Sequence, residues 1–151
     1  MWAGEWPDQK LNGVLRHART VRCFPLSIWE RRAPRDIRGT VPVSAFYWVE
    51  RRGVAPDRDK SVWGDDRNVW IDASPAHHLQ AGVPPMLILY AERDEDWRRE
   101  QNVEFAAAMK AAGHKGAEIA MIANRNHSTI WTRVREEGDE TAERIIRFVS
   151  R

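Results

Sequence analysis

Two apolar runs in the second half of the chain are each followed by a helical pattern, and this alternation restricts the fold more than any other feature. The run "MLILYA", residues 86–91, precedes the helical stretch "REQNVEFAAAMKAAGHKG". The run at residues 118–123 precedes "DETAERIIRFVS". Strands that alternate with helices are typical of a parallel sheet. We therefore expect an α/β fold, with a third strand over residues 40–48, where "TVPVSAFYW" is apolar at nearly every position.

The two helical stretches carry the expected terminal signals. In the first, Gly113 suits the C-terminal end, and in the last, Asp139 is a suitable N-cap. The apolar residues expected on one face of the first helix are Phe105, Met109 and Ala112. Those expected to form the apolar stripe of the last helix are Ala142, Ile145, Ile146 and Val149.

The remaining parts of the chain are less regular. Residues 51–85 form a polar excursion, in which "SPAHHLQAG" predicts a short helix with Ser74 as its cap and Pro75 at its first position. Residues 1–36 show no sustained period of either type. We therefore expect an irregular leader over 1–36 and one α/β domain over 37–151.

Length and composition limit the classes of protein that fit. A chain of 151 residues, 42% hydrophobic and 30% charged, fits one globular domain. No apolar run approaches the roughly 20 residues that span a bilayer, and the N-terminus lacks the pattern of a signal peptide. The formal net charge of +2 gives little support to a nucleic-acid partner. The single cysteine, Cys23, rules out an internal disulfide and is compatible with the reducing cytoplasm that we expect as the location.

Polar side chains follow two of the predicted strands. "ERDED" comes after the strand at 86–91, and "NRNHST" comes after the strand at 118–123. Since functional residues of parallel sheets gather beyond the carboxyl ends of the strands, we expect Asp94 and His127 to come within hydrogen-bond range. Glu95 and Asp96 compete with Asp94 as the carboxylate. The simpler interpretation is a solvated charged turn and a structural loop histidine.

The ordered set of motifs resembles the α/β-hydrolase superfamily, esterase/lipase type. The matching pieces are "IRGTVPVSAFYWV", "VWGDD", "SPAHHLQAGVPPMLILYAERD", "EQNVEFAAAMKAAG", "NRNHSTIW" and "GDETAERIIRFV". They cover residues 37–150, about three-quarters of the chain. The resemblance implies a partial α/β-hydrolase fold that corresponds to the C-terminal part of that family.

The resemblance also implies a chemistry and its residues. It assigns the acid of a catalytic triad to Asp94 and the base to His127, in the family's order of serine, acid and histidine. A histidine titrates near neutrality and can move a proton, while a carboxylate on its other ring nitrogen holds the required tautomer. The implied function is hydrolysis of a small-molecule carboxylic ester through an acyl-serine, with no cofactor and no metal.

The family's nucleophile motif is not found in this sequence. Neither a G-x-S-x-G elbow nor an HGGG-type oxyanion loop is present. Cys23 lacks the tight glycine turn that an elbow needs. Ser44 is set aside because it lies inside a predicted strand. The other serines lack the elbow pattern, and they are Ser27, Ser61, Ser74, Ser128 and Ser150. We therefore expect a truncated hydrolase that carries the acid and base but is incomplete or inactive as this chain.

The alternative is a non-catalytic remnant or a partner-binding α/β domain. A half sheet exposes unpaired backbone groups, so self-association through the sheet edge is expected on physical grounds. The adjacent His77 and His78 point about 100° apart on a helix and do not predict a metal site. His114, beside Gly113, is expected to act as a favourable charge at a helix C-terminus.

Overall fold

The computed structural model describes residues 37–51, 56–79 and 83–151 of the chain. The helices and strands, in chain order, are α1 (Pro56–Trp63), α2 (Arg67–Asp72), β1 (Met86–Ala91), α3 (Asp96–Ala111), β2 (Ala117–Ile122), α4 (Thr129–Thr132) and α5 (Glu140–Val149). Two 3₁₀ turns span Val49–Arg51 and Pro75–His78. The leader over 1–36 lies outside the described residues, so the division of the chain at residue 37 stays a prediction.

A parallel pair of strands forms the centre of the fold. β1 pairs with β2 from Met86↔Ala117 to Ala91↔Ile122, and α3 makes the connection between them. The predicted strand over 86–91 is confirmed, and the strand predicted over 118–123 begins and ends one residue earlier. Because the strands are parallel and in register, their carboxyl ends lie at the same edge of the sheet.

The third strand, predicted over 40–48, is wrong over most of its length. Only Thr40 and Val43 form bridges, both parallel, to Met86 and Leu89 of β1. Pro42 has no N–H to donate, which interrupts the ladder. Ser44 then takes a left-handed conformation with φ 47°, and a regular strand cannot continue through it.

Side chains of α3, rather than a neighbouring strand, form several of the backbone hydrogen bonds of residues 45–48. Gln101 Oε1 accepts from the N–H groups of Tyr47 and Trp48 at 2.7 and 2.9 Å. Asn102 Nδ2 donates to the Ala45 carbonyl at 2.8 Å. Buried backbone groups need such partners. The apolar composition of this stretch therefore reflects burial against α3, as in the stacking of Tyr47 on Phe105 at 3.8 Å.

The core lies on both faces of β1, as its uninterrupted apolar sequence predicts. On one face the buried residues are Val43, Leu87, Leu89, Ala91, Ile122, Ile130 and Phe148. On the other they are Tyr47, Ile88, Phe105, Ala106, Met109 and Ala117. Alternate side chains of β1 therefore pack against two layers, one that includes α5 and one that includes α3.

The ends of the helices agree only in part with the sequence pattern. Asp139 caps α5 by accepting the Ala142 N–H at 2.9 Å, which confirms that prediction. Gly113, with φ 85°, follows the end of α3 as expected. Ser74 makes no side-chain cap hydrogen bond, so its predicted role is wrong. Its hydroxyl instead donates to the Trp70 carbonyl at 2.7 Å and accepts the Val49 N–H at 2.8 Å.

The predicted apolar faces are partly corrected as well. In α3, Phe105 and Met109 are buried, whereas Ala112 lies beyond the last turn and is exposed. In α5, Ile146 and Val149 are exposed. The face of α5 that packs on the core carries Thr141, Ile145 and Phe148. Among the described residues, no helix combines the length and the apolar composition that crossing a bilayer requires.

Close packing between residue 39 and α5 gives a test of this arrangement. A Cβ on Gly39 would lie 2.6 and 2.8 Å from ring carbons of Phe148 and 3.0 Å from the Pro85 carbonyl oxygen. We expect Gly39→Ala to lower the free energy of unfolding by about 1–3 kcal/mol, because a packed ring must shift. Urea denaturation measures the loss. In a Phe148→Leu background the same substitution should cost less, and an equal cost in both backgrounds would contradict this packing.

Candidate active site

Asp94 lies in the turn directly after β1, and its carboxylate is fully buried, with the side chain 0% exposed. The turn closes with a hydrogen bond from the Asp94 N–H to the Ala91 carbonyl at 3.2 Å. Oδ2 of Asp94 accepts the Ala91 N–H at 2.9 Å and the Ser44 hydroxyl at 2.6 Å. The last residue of β1 and the segment that precedes the first 3₁₀ turn therefore fix the position of this carboxylate.

His127 lies in the loop after β2, and Asn126 braces that loop. Oδ1 of Asn126 accepts hydrogen bonds from the N–H groups of Ser128 and Thr129 at 3.1 and 2.9 Å. The Asn126 N–H in turn donates to the Thr129 hydroxyl oxygen at 2.8 Å. Side-chain turns of this kind hold a loop at the start of a helix. Ile130, fully buried, anchors α4 immediately after the loop.

Two hydrogen bonds donated by backbone N–H groups tie the two loops to each other. The Arg93 N–H donates to the Arg125 carbonyl at 2.9 Å, and the Asn124 N–H donates to Glu92 Oε2 at 2.7 Å. Asn124 has a φ of 56°, a left-handed conformation that asparagine tolerates better than most residues. The loops after β1 and β2 therefore form one structural unit at the carboxyl edge of the sheet.

An ion pair fixes the second loop to the N-terminus of α5. Arg125 Nη2 lies 2.8 Å from Asp139 Oδ2, and the Asp139 side chain is buried. Burial opposes the charge on Asp139, but the hydrogen bonds from Arg125 and from the Ala142 N–H outweigh it and lower the pKa of the carboxyl. Asp139 therefore holds the loop that contains Arg125 against the N-terminus of α5.

The structure brings the two residues singled out in the sequence together. Nδ1 of His127 lies 3.4 Å from Oδ1 of Asp94. That separation is within ion-pair distance and longer than an ordinary hydrogen bond. Oδ1 is buried and has no hydrogen-bond partner among the described residues. The His127 side chain is 49% exposed, so one ring nitrogen faces a buried carboxylate while the ring remains accessible.

The two competing carboxylates have other partners. Glu95 accepts a hydrogen bond from Arg98 Nε at 3.0 Å, and Asp96 pairs with Arg99. A backbone N–H bond and the Arg98 hydrogen bond lower the pKa of Glu95, with the charge of His127 as the smallest contribution. Asp94 is therefore the carboxylate that the fold directs at the imidazole.

The other histidines are used elsewhere. His77 Nε2 lies 2.7 Å from Glu50 Oε1, and His78 Nε2 lies 2.6 Å from the Asp72 carbonyl oxygen. The ring of His114 is buried rather than displayed at a helix end, with Nε2 3.1 Å from the Pro84 carbonyl oxygen. Within the described ranges no group of three or more His, Cys, Asp or Glu side chains is placed to hold a metal ion.

Sequence reasoning missed two residues of this site. Ser44 was set aside as a strand residue, yet its hydroxyl contacts Asp94, and Arg98 Nε lies 3.9 Å from Asp94 Oδ1. Arg98 also donates from Nη1 to the Ser44 carbonyl at 2.9 Å. The sequence gives no signal for the left-handed backbone at Ser44, whereas the i,i+4 spacing of Asp94 and Arg98 was a usable signal.

Cys23 and Ser27, considered as nucleophiles, lie outside the described residues.

Comparison with known proteins supports the fold. No protein-family model matches this sequence, and no curated protein matches it. A solved structure of a thermophilic esterase from the planctomycete Thermogutta terrifontis, bound to propionate, aligns with a TM-score of 0.57 and 23% identity, over 91% of this chain and 52% of the esterase. The native form of that esterase gives 0.56 and 22%, over 91% and 49%. Esterase 2 of the same organism, phosphonylated by sarin, gives 0.54 and 22%, over 91% and 50%.

These similarities define the class of fold. The chain is a partial α/β-hydrolase fold of the kind seen in esterases, as the sequence motifs predicted. It spans about half the length of the solved esterases it resembles. At this level of identity the likeness extends to the fold, and the roles of individual residues in this chain are matters for proposal.

The brace at Asn126 gives a prediction for the loop that carries His127. We expect Asn126→Ala to lower the free energy of unfolding by about 1 kcal/mol, since two backbone N–H groups lose their acceptor. Amide hydrogen exchange should become faster at Ser128 and Thr129. Asn124→Gly is the matched control, because glycine suits a φ of 56° and the backbone bond to Glu92 remains. Equal exchange at Ser128 and Thr129 in the two variants would contradict the role given to Asn126.

Proposed function

We propose that this chain supplies the acid and the base of a carboxylic-ester hydrolase site, with Asp94 as the acid and His127 as the base. The observation that carries the proposal is the 3.4 Å approach of His127 Nδ1 to the buried Oδ1 of Asp94, at the shared edge of two parallel strands. The esterase-like fold supports the same class of reaction. No cofactor is part of the proposal.

The arrangement suits proton transfer. With Nδ1–H directed at Asp94, the second ring nitrogen, Nε2, is left as the acceptor that can take a proton from an attacking hydroxyl. The carboxylate then stabilises the imidazolium that forms. Hydrogen bonds of catalytic pairs are often long before substrate binds, so 3.4 Å is compatible with this role.

The proposal places the attacking oxygen outside the described residues. Their hydrogen bonds include none between a serine hydroxyl and Nε2 of His127. Ser44 is committed to Asp94, and Ser74, with 0% exposure, is committed to Glu50 and the Trp70 carbonyl. We therefore propose that this chain alone hydrolyses esters slowly, by general-base assistance to water.

Hydrolysis of p-nitrophenyl propionate tests this function. The acyl group is chosen because one esterase of similar fold binds propionate. General-base catalysis contributes about 10²–10⁴-fold, so we expect a rate above buffer but far below that of a complete hydrolase. His127→Ala should reduce the rate to the buffer level, and Asp94→Asn should lower it by about tenfold or more.

Two variants serve as matched controls for that assay. His78 is exposed to a similar extent as His127, at 44%, and Asp96 is the neighbouring exposed carboxylate. His78→Ala and Asp96→Asn should leave the rate unchanged. Equal rates for His127→Ala and His78→Ala, or no rate above buffer, would contradict the proposal. Paraoxon phosphorylates Thermogutta terrifontis esterase 2, and a paraoxon adduct on a serine within the described residues of this chain would contradict the placement of the nucleophile.

Self-association through the sheet edge is a second proposal, favoured by exposed apolar side chains. Among the described residues β2 pairs only with β1. Met121 and Val103 are 44% and 48% exposed and line a cleft of about 300 Å³. A second copy of the chain would cover both the strand edge and this cleft.

A cytoplasmic location stays a prediction.

Size-exclusion chromatography over a range of concentrations tests self-association. We expect a dimer or larger species that Met121→Lys shifts toward the monomer, because a charge then lies in the apolar contact. Ile71→Lys is the control, since Ile71 is 40% exposed and is not part of the cleft lining. A wild-type chain that elutes as a monomer at every concentration would contradict this proposal.

A further inference from the structure

The Ser44 hydroxyl makes a short hydrogen bond to the proposed catalytic acid. Its Oγ lies 2.6 Å from Asp94 Oδ2, although the two residues are 50 positions apart in the sequence. Ser44 is 2% exposed, so this contact is shielded from water. A hydroxyl that donates to a buried carboxylate is among the stronger hydrogen bonds in proteins.

The two oxygens of Asp94 have different environments. Oδ2 receives two donors, the Ser44 hydroxyl and the Ala91 N–H. Oδ1 has no hydrogen-bond partner among the described residues and lies 3.4 Å from Nδ1 of His127. Anchoring of Oδ2 fixes the plane of the carboxylate, and this leaves Oδ1 directed at the imidazole.

The backbone at Ser44 is held in a conformation that serine rarely adopts. With φ at 47°, glycine would be the ordinary choice, since it has no Cβ to oppose a left-handed conformation. The Ser44 N–H donates to the Leu89 carbonyl at 2.7 Å, and its carbonyl accepts from Arg98 Nη1 at 2.9 Å. A strained residue fixed on both sides is a reason to look for a function of its side chain.

Arg98 braces this arrangement without taking Oδ1 from His127. Its Nε donates to Glu95 at 3.0 Å and lies 3.9 Å from Asp94 Oδ1, beyond hydrogen-bond range. The guanidinium therefore joins the Ser44 carbonyl to the first turn of α3. The geometry leaves the hydroxyl of Ser44 as the side-chain group that orients Asp94.

We propose that Ser44 is a positioning residue that acts through Asp94 to hold His127 in the tautomer protonated at Nδ1. In its catalytic meaning this inference rests on the proposed function, because only the Nδ1–H tautomer leaves Nε2 free to accept a proton. The tautomer of the His127 ring itself can be measured without any ester hydrolysis.

Nitrogen-15 NMR of the full chain tests the inference. At about pH 8.5, where an ordinary histidine is neutral, the ring ¹⁵N shifts of His127 report which nitrogen carries the proton. We expect Nδ1–H to predominate in the wild-type chain. In Ser44→Ala and in Ser44→Gly its population should fall by about half or more, since Oδ2 of Asp94 then keeps only the Ala91 N–H and loses its side-chain donor.

The pair of variants separates the hydroxyl from the backbone. Both lose the hydroxyl, but glycine suits the left-handed conformation, so Ser44→Gly should fold even where Ser44→Ala is destabilised. Ser128→Ala is the control, since Ser128 is next to His127 and makes no side-chain cap hydrogen bond. It should leave the tautomer unchanged.

The outcomes distinguish this inference from the proposed function. An unchanged Nδ1–H population in Ser44→Gly, or a wild-type ring protonated mainly at Nε2, would overturn the role of Ser44. A loss of Nδ1–H in both Ser44 variants, together with a hydrolysis rate that does not depend on His127, would retain the role of Ser44 in orienting Asp94 and remove the hydrolase function.

Discussion

The buried carboxylate of Asp94 is the constraint on which the rest of the site depends. A charge removed from water is costly unless polar groups surround it, and here those groups come from separate parts of the chain. Ala91 ends β1, Ser44 belongs to the segment bridged to β1, and His127 belongs to the loop after β2. A single side chain therefore contacts three segments of the chain at once.

The sequence predicted those parts of the fold that depend on local pattern and chain order. The apolar run of β1 and the Asp139 cap of α5 were predictable, because burial on both faces and capping leave direct traces in residue type. The proximity of Asp94 and His127 followed from topology, since consecutive parallel strands bring their carboxyl ends together. The motifs also predicted the esterase-like fold that the comparison with solved structures supports.

The parts that could not be predicted depend on distant side chains. Residues 45–48 are apolar, which predicted a strand, but Gln101 and Asn102 of α3 form hydrogen bonds with backbone groups of this stretch. The left-handed conformation at Ser44 has no signature in residue type, so its contact with Asp94 was not visible. The inner face of α5 was misjudged for a related reason, because Phe148 packs beside Gly39 while Ile146 is exposed. Periodicity identifies the apolar residues of a helix, but it does not show which residues of other elements cover them.

A double-mutant cycle between Asp94 and His127 tests the central claim most directly. The free energy of unfolding would be measured by urea denaturation for the wild-type chain, Asp94→Asn, His127→Gln and the double variant. Since the two side chains are in contact, we predict that the single losses fail to add, with a coupling energy of about 0.5 kcal/mol or more. Losses that add within experimental error would show that the carboxylate and the imidazole do not interact, and would contradict the account.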